Sequence, residues 1–340
     1  MTNLLQPFVL LRLASAVTLA ALFIRAASTA LRLLRSADLA EKSAATEGQL
    51  LIERRVELAQ ILARVAAVGA VLDLGLGVLT ADRLSHSLRG AMCAYGVFGA
   101  NRYGVPALAL SVALAVLGGV LAQLYAFDAL MPRLTLARAL ARATAVLAPL
   151  ALIHAALSTL FLLELDLSAT ASCCSAELDT ALAAGPGHVS LPRLGVTVTG
   201  GAFVLLAVFV GARVARRPNT GAMLAAGAVA VFASALGVLA VVFGVAPHAF
   251  ETPHHLCPFC LLHGDVGAIG FPLFGALYAG VVWALGAVTA WFLSREPALS
   301  LLFARTRFGR SAGAFLVAFV VGLMPIVRYA WHTGGVFLFP

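Results

Sequence analysis

The sequence predicts an all-α integral membrane protein, a polytopic bundle of about eight transmembrane helices with both termini on the extracytoplasmic side. Its 340 residues are 61% hydrophobic and only 11% charged, whereas soluble proteins average about 25% charged residues. The mean hydropathy is +0.99. Such a composition also excludes a disordered chain, which needs low hydrophobicity and high net charge. The lipid bilayer is therefore the predicted environment of the chain.

Apolar stretches long enough to cross a bilayer recur along the chain, and a spanning helix needs about 20 such residues. The first stretch lacks a preceding positive charge, so it is predicted to be a retained helix and not a cleaved signal peptide. The eight predicted spans are Pro7 to Ile24, Val65 to Ala81, Val105 to Leu130, Ala143 to Leu165, Gly195 to Ala212, Gly221 to Val245, Val266 to Leu293 and Ser311 to Val327.

Basic residues predict the orientation of these spans, because cytoplasmic loops are enriched in Lys and Arg. Most of the 23 Lys and Arg residues fall in the first, third, fifth and seventh connections. The alternate connections hold few, and none lies between His248 and Asp265. The net charge of +8 is therefore attributed to topology and not to nucleic-acid binding. A bacterial inner (plasma) membrane is the expected location.

The chain is predicted to form a single membrane domain over residues 1–340. Residues 26–64 alternate charged and apolar side chains at helical spacing, which predicts an amphipathic helical loop on the cytoplasmic membrane face. All five cysteines fall in three connections predicted to be extracytoplasmic, 82–104, 166–194 and 246–265. Thiols in an oxidising compartment are expected to pair, to bind metal or to carry out redox chemistry.

The strongest motif is Cys257-Pro258-Phe259-Cys260, flanked by His254, His255 and His263. Proline is favoured at the first position of a helix, so Cys257 is predicted to cap a helix that starts at Pro258. A helix N-terminus and nearby imidazolium groups favour the thiolate, the nucleophile of disulfide exchange. The motif therefore predicts a redox site.

This motif resembles the Cys-Pro-x-Cys of thioredoxin-fold oxidoreductases over four residues. Its placement at the outer end of a helix, with further cysteines in an outside loop, is similar to that of the membrane thiol oxidases related to vitamin K epoxide reductase. The resemblance implies electron exchange between Cys257 and Cys260, a second cysteine pair and a membrane quinone. It is a likeness of chemistry and placement and implies no shared family.

Cys173 and Cys174 are adjacent, and a disulfide between neighbours closes a strained ring that is easily reduced. Such a bond suits a relay partner for Cys257 and Cys260. The same four thiols, with His254, His255 and His263, would equally form a soft site for Cu(I) or Zn. A third interpretation makes the cysteines plain disulfide staples, in which one of the adjacent pair bonds Cys93 and the other bonds Cys257 or Cys260.

Three further residues are chemically conspicuous. Cys93 lies in a short apolar stretch that is too brief to span and is predicted to be re-entrant or interfacial. Buried in protein at the outer membrane level, this stretch would bring Cys93 toward the other thiols, but taken alone Cys93 is best interpreted as an inert packed cysteine. Asp73 lies within the second span, where a charge is costly and often functional, and Arg12 is its expected ion-pair partner. His154 lies at mid-depth without a second histidine for haem, so it is predicted to be a hydrogen-bonded core residue.

Together these observations predict a membrane thiol-disulfide redox protein in which Cys257, Cys260, Cys173 and Cys174 react. Its electrons would pass to or from a quinone or an extracytoplasmic thiol protein. The alternatives are a protein that binds or transports Cu(I) or Zn, and a structural subunit of a membrane complex. Neither a phosphate-binding glycine loop, nor a Gly-x-Ser-x-Gly turn, nor a His-Glu-x-x-His helix is present, which leaves the corresponding enzyme classes without support.

Overall fold

The computed structural model describes seven stretches of the chain. They are residues 6–40, 46–91, 93–131, 136–166, 193–253, 255–294 and 296–338, with the backbone alone for 33–40 and 46–53. Within these stretches the regular structure is helical, and no described residue belongs to a β-strand. The predicted all-α class is confirmed.

Ten α-helices carry this part of the chain. Several continue well beyond the apolar stretches that the sequence marks. They are α1 (Pro7–Ala40), α2 (Thr46–Ser85), α3 (Ala94–Gly99), α4 (Gly104–Asp128), α5 (Ala137–Leu163), α6 (Arg193–Arg216), α7 (Thr220–Ala240), α8 (Ala246–Ala249), α9 (Gly270–Leu293) and α10 (Pro297–His332).

Eight helical segments among the described residues are long and apolar enough to cross a membrane, as predicted. The first two are Pro7–Arg32 and Arg54–Ser85, so α1 and α2 extend as helices into most of the predicted amphipathic loop 26–64. Large apolar side chains cover the outer surfaces of these helices; Phe209 is 70% exposed and Leu72 is 67% exposed. Such surfaces suit contact with lipid and not with water.

The described chain divides into two compact units. The N-terminal unit contains α1, α2, α4 and α5. The C-terminal unit contains α6, α7, α8 and most of α9 and α10, together with the earlier segment Ser85–Val97. Cys93 therefore belongs to the same unit as Cys257 and Cys260, although the segment Phe98–Ser168 of the N-terminal unit lies between them in the sequence.

In the N-terminal unit, α5 packs against α1 and α4. Small residues allow the helices to approach closely, as is typical of membrane bundles. A methyl group added at Gly118 on α4 would lie 3.3 Å from the Cα atom of Ala67 on α2. Phe23 and Leu114 fill the interior and are completely buried.

In the C-terminal unit, α9 and α10 contact each other through the Phe315 ring and through a hydrogen bond from Ser311. A methyl group at Gly280 would lie 2.8 Å from the ring of Phe315, and the Ser311 hydroxyl donates to the Gly280 carbonyl at 2.8 Å. Phe308, which is also buried, extends this core along α10. The close fit fixes the middle of α9 against α10.

The connection from α7 to α9 is the irregular part of this unit. A π-helical turn, Val241–Val245, leads directly into α8. Two short 3-10 turns follow, Phe259–Leu262 and Gly264–Val266, before α9 begins at Gly270. This connection contains the Cys-Pro-Phe-Cys motif.

Candidate metal centre

Three cysteine side chains converge in the C-terminal unit. The sulfur atoms of Cys93, Cys257 and Cys260 all lie within 4.8 Å of one another. They are 1%, 1% and 5% exposed, and no disulfide bond joins them. We call these three residues the thiol cluster. Because they come from two segments far apart in sequence, the cluster is a product of tertiary packing.

Cys93 reaches the cluster from the segment that precedes α3. Gly90 adopts a positive φ of 80°, a backbone conformation that glycine adopts without strain, and α3 begins at Ala94 immediately after the cysteine. Tyr95, on the first turn of α3, packs against the thiol cluster. The interpretation of Cys93 as an inert packed cysteine therefore missed its two neighbouring thiols.

Cys260 lies within a 3-10 turn, and Cys257 lies just before it. That turn covers only Phe259–Leu262, and Pro258 is its flanking N-terminal residue. The prediction that Cys257 caps a helix starting at Pro258 is therefore wrong, because the next long helix begins only at Gly270. A four-residue turn has no substantial helix dipole, so the structure removes that argument for a stabilised thiolate.

Two glycines determine the path of the backbone after this turn. Gly267 has a positive φ of 72° and closes the second 3-10 turn. Gly270 lies against the first turn, because an added Cβ would be 2.9 Å from the carbonyl carbon of Leu261 and 2.9 Å from Cδ2 of Leu262. The buried Leu261 follows Cys260 directly, so the start of α9 supports the segment that carries this thiol.

His255 is the described imidazole that adjoins the thiol cluster. Its ring stacks on Phe250, with ring centroids 3.9 Å apart, and Phe250 also packs against the three cysteines. Its Nε2 atom is buried and has no hydrogen-bond partner among the residues that the structure describes. An unpaired buried nitrogen costs free energy, and coordination to a metal would satisfy it.

The local electrostatics favour a neutral imidazole at His255. Burial lowers the pKa of His255 below its ordinary value of 6.5; the charge of Cys93 opposes this effect, and the charge of His263 adds to it. Neutral imidazole is the form that binds metals. The half-buried His263 thus lies close enough to influence His255, although it is not one of the three converging groups.

Other predicted site residues fall elsewhere. Cys173, Cys174 and His254 lie outside the described residues, so the structure does not show whether they approach the thiol cluster. Their predicted roles as a second thiol pair and as a metal ligand therefore remain predictions.

The expected ion pair within the N-terminal unit is present. Arg12 on α1 contacts the Asp73 carboxylate on α2, and Nε2 of His154 on α5 lies 2.8 Å from the other Asp73 oxygen. Asp73 and His154 are completely buried. The prediction of a hydrogen-bonded core histidine is confirmed.

Comparisons with protein-family models, curated proteins and solved structures find no match for this chain. The chemistry of the site must therefore be argued from its own residues. Three convergent thiols beside an unpartnered imidazole nitrogen are able to hold a soft metal ion. The same three thiols are also able to exchange disulfide bonds among themselves.

Proposed function

We propose that the protein binds a soft metal ion, Cu(I) or Zn²⁺, through Cys93, Cys257 and Cys260, with His255 as the fourth ligand for Zn²⁺. The observation that carries this proposal is the convergence of three buried thiols. The ring of His255, whose buried Nε2 atom has no partner in the described chain, stacks on Phe250 beside the cluster and would move toward the ion to bind it. A soft N/S donor set of this kind is typical of Cu(I) and Zn sites.

The spacing of the thiols supports coordination. Zn–S bonds of about 2.3 Å in a tetrahedron place the sulfur atoms about 3.8 Å apart. The sulfur atoms of the thiol cluster are within 4.8 Å of one another, so each pair would need to close by no more than about 1 Å around the ion. Side-chain rotation and small shifts of the 3-10 turn are sufficient for this movement.

The burial of the thiols favours metal binding over disulfide exchange with another protein. An attacking thiolate must reach the disulfide sulfur directly, and all three sulfur-bearing side chains are at most 5% exposed. A metal ion needs only a narrow entry path. Tyr95, Phe250 and Phe259 pack around the cluster and would exclude water and larger reactants from the bound ion.

The two metals would use the site differently. Cu(I) is satisfied by three thiolates, whereas Zn²⁺ almost always takes four ligands in structural sites. Three thiolates around Zn²⁺ leave a net charge of −1, while around Cu(I) they leave −2, which costs more in a buried site. Participation of His255 therefore indicates Zn²⁺, and a bound ion without His255 indicates Cu(I).

Thiol-disulfide chemistry is the second candidate function, because Cys93 lies within reach of the Cys257 and Cys260 pair. In this scheme Cys257 and Cys260 form a disulfide and release two electrons and two protons to a quinone. Cys93 would then attack the bond to form a mixed disulfide. Cys173 and Cys174 would relay electrons from an extracytoplasmic thiol protein at the bacterial inner membrane.

Metal analysis of the full chain, purified anaerobically without a metal-binding tag, tests the proposal. We expect one Zn or Cu per chain, lost in each of Cys93→Ser, Cys257→Ser and Cys260→Ser and retained in the surface control His332→Gln. X-ray absorption would give three sulfur ligands, with one nitrogen for Zn. A chain that binds neither Zn²⁺ nor Cu(I) on titration, and that instead carries a Cys257–Cys260 disulfide reversible by quinol, overturns the metal proposal and supports the second candidate.

A further inference from the structure

A second group of polar side chains lies inside the N-terminal unit, and neither proposed function uses it. Arg12 and Ser15 come from α1, Asp73 from α2, and His154 and Ser158 from α5. We call these five residues the polar cluster. Ionisable side chains are costly within membrane-spanning helices and are therefore often functional.

The polar cluster contains one ion pair, between Arg12 and Asp73. Arg12 contacts Asp73, and Ser15 donates a hydrogen bond to Oδ1 of Asp73 at 2.7 Å. Arg12 also donates to the Ser158 hydroxyl at 3.1 Å. With a neutral His154, the net charge of the cluster is zero, which is the least costly state in an environment of low dielectric constant.

The hydrogen-bond partner of His154 depends on whether its Nε2 atom carries a proton. Its Nε2 atom lies 2.8 Å from Oδ2 of Asp73 and 3.2 Å from Nη2 of Arg12. A carboxylate oxygen only accepts and an arginine nitrogen only donates. A protonated Nε2 therefore bonds to Asp73, and an unprotonated Nε2 bonds to Arg12.

The other ring nitrogen is available to take up a proton. Nδ1 of His154 is buried and, within the described part of the chain, has no hydrogen-bond partner. When Nε2 donates to Asp73, Nδ1 of the neutral ring carries an unused lone pair. Proton transfer to Nδ1 would produce an imidazolium ion that retains its hydrogen bond to Asp73.

A small cavity lies beside the polar cluster. Its polar lining residues are Arg12, Thr80, Ser111 and Ser158, and it has room for about one water molecule. The Ser111 hydroxyl on α4 is buried, with no partner in the stretches that the structure covers. Two members of the polar cluster, Arg12 and Ser158, therefore border the cavity, and Ser158 follows His154 by one helical turn on α5.

We propose that His154 and Asp73 form a proton-binding site within the membrane-spanning part of the N-terminal unit. The proton originates in bulk water, and a water molecule in the cavity lined by Ser111 and Ser158 relays it, regaining a proton as it gives one up. The His154 ring then holds the proton against the Asp73 carboxylate. This makes the unit a site of proton uptake. The inference does not rest on the metal proposal, because it involves none of the same residues.

The charged groups that face His154 are known from each neighbouring element. Arg12 faces it from α1, and Asp73 faces it from α2. On α4 the buried ionisable residues, Tyr125 and Asp128, are 14 or more residues beyond Ser111, which is about 21 Å along the helix. Arg12 and Asp73 are therefore the charged side chains that contact the His154 ring in the described part of the chain.

Nitrogen NMR of the full chain, labelled in its histidine rings and placed in lipid nanodiscs, tests the proposal. We expect spectra recorded across a pH series to contain both a neutral and a cationic form of the His154 ring. Loss of one signal in His154→Gln identifies the ring, and a shift of that signal in Ser158→Ala identifies it independently if the first variant does not fold.

A second measurement tests whether the proton reaches His154 through the cavity. Ser111→Ala should slow exchange of the His154 ring proton with water about fivefold, the factor expected when one neutral hydrogen bond is lost. Ser234→Ala, which removes a hydroxyl from the C-terminal unit, should leave that rate unchanged. A His154 ring that stays neutral at every pH at which the protein remains folded overturns the proposal and makes the polar cluster a static structural group.

Discussion

Adding one methyl group at Gly270 would test whether the start of α9 holds the thiol cluster in its geometry. Gly270 contacts no sulfur atom, so its replacement removes no ligand. In Gly270→Ala the new Cβ would lie 2.9 Å from the carbonyl carbon and 3.0 Å from the carbonyl oxygen of Leu261. Those atoms belong to the backbone, and they cannot move without moving the turn that carries Cys260.

The size of the effect follows from these distances. Ordinary van der Waals contact begins at 3.4 Å, so the turn must shift by about 0.5 Å to accept the methyl group. Metal sites tolerate departures of about 0.2 Å from their preferred bond lengths. Overpacking of this kind costs about 1–3 kcal/mol, which weakens metal binding about 5- to 150-fold if the strain is relieved in the metal-free protein.

The assay is a competition titration of Zn²⁺ or Cu(I) between the purified protein and a coloured chelator. Gly275→Ala is the matched control, because it lies in the same helix and an added Cβ would meet nothing within 4 Å. We expect normal affinity for the control and weaker affinity for Gly270→Ala. If the two variants bind metal equally tightly, the close contact between α9 and the turn does not govern the site, and the reasoning is refuted.

Three other outcomes are expected. The pKa of His255 is lowered mainly by burial, so the unfolded chain binds more protons from the folded pKa up to about 6.5, and stability should rise with pH over that range. Thermal unfolding of the metal-free chain would show this rise, and His255→Gln should make it smaller. Asp73→Asn should lower the free energy of unfolding by about 3–5 kcal/mol because it leaves Arg12 as a buried unpaired charge. The double variant that also carries Arg12→Gln should recover part of this loss in a denaturation assay. Gly280→Ala should cost about 1–3 kcal/mol because its methyl group overlaps the Phe315 ring, and a thermal midpoint no lower than that of Gly275→Ala would contradict this expectation.

The helical spans were predictable because their signal is local. A run of about 20 apolar residues must form its backbone hydrogen bonds internally within a bilayer, so composition alone indicates each helix. The ion pair of Arg12 and Asp73 was predictable for a related reason, since an isolated charge within a span is costly. Both inferences require no knowledge of which helices become neighbours.

The thiol cluster was less predictable because it depends on the path of the chain between helices. The sequence places Cys93 in a short apolar stretch, and nothing local shows that this stretch packs beside Cys257. The useful signal was the predicted location of all the cysteines on one side of the membrane. The helix expected at Pro258 does not form because the chain turns repeatedly after Cys260, including the left-handed Gly267.

The wide separation of the thiols in the sequence has a consequence for biosynthesis. At about 5–20 residues per second, the roughly 160 residues between Cys93 and Cys257 take about 8–30 s to be translated. During that interval the first thiol has been made while its eventual neighbours do not yet exist. In the predicted orientation, where this thiol faces an oxidising compartment, enzymes that form disulfides would have access to it then. Successful maturation of the nascent chain therefore depends on shielding this one cysteine until elongation is nearly complete.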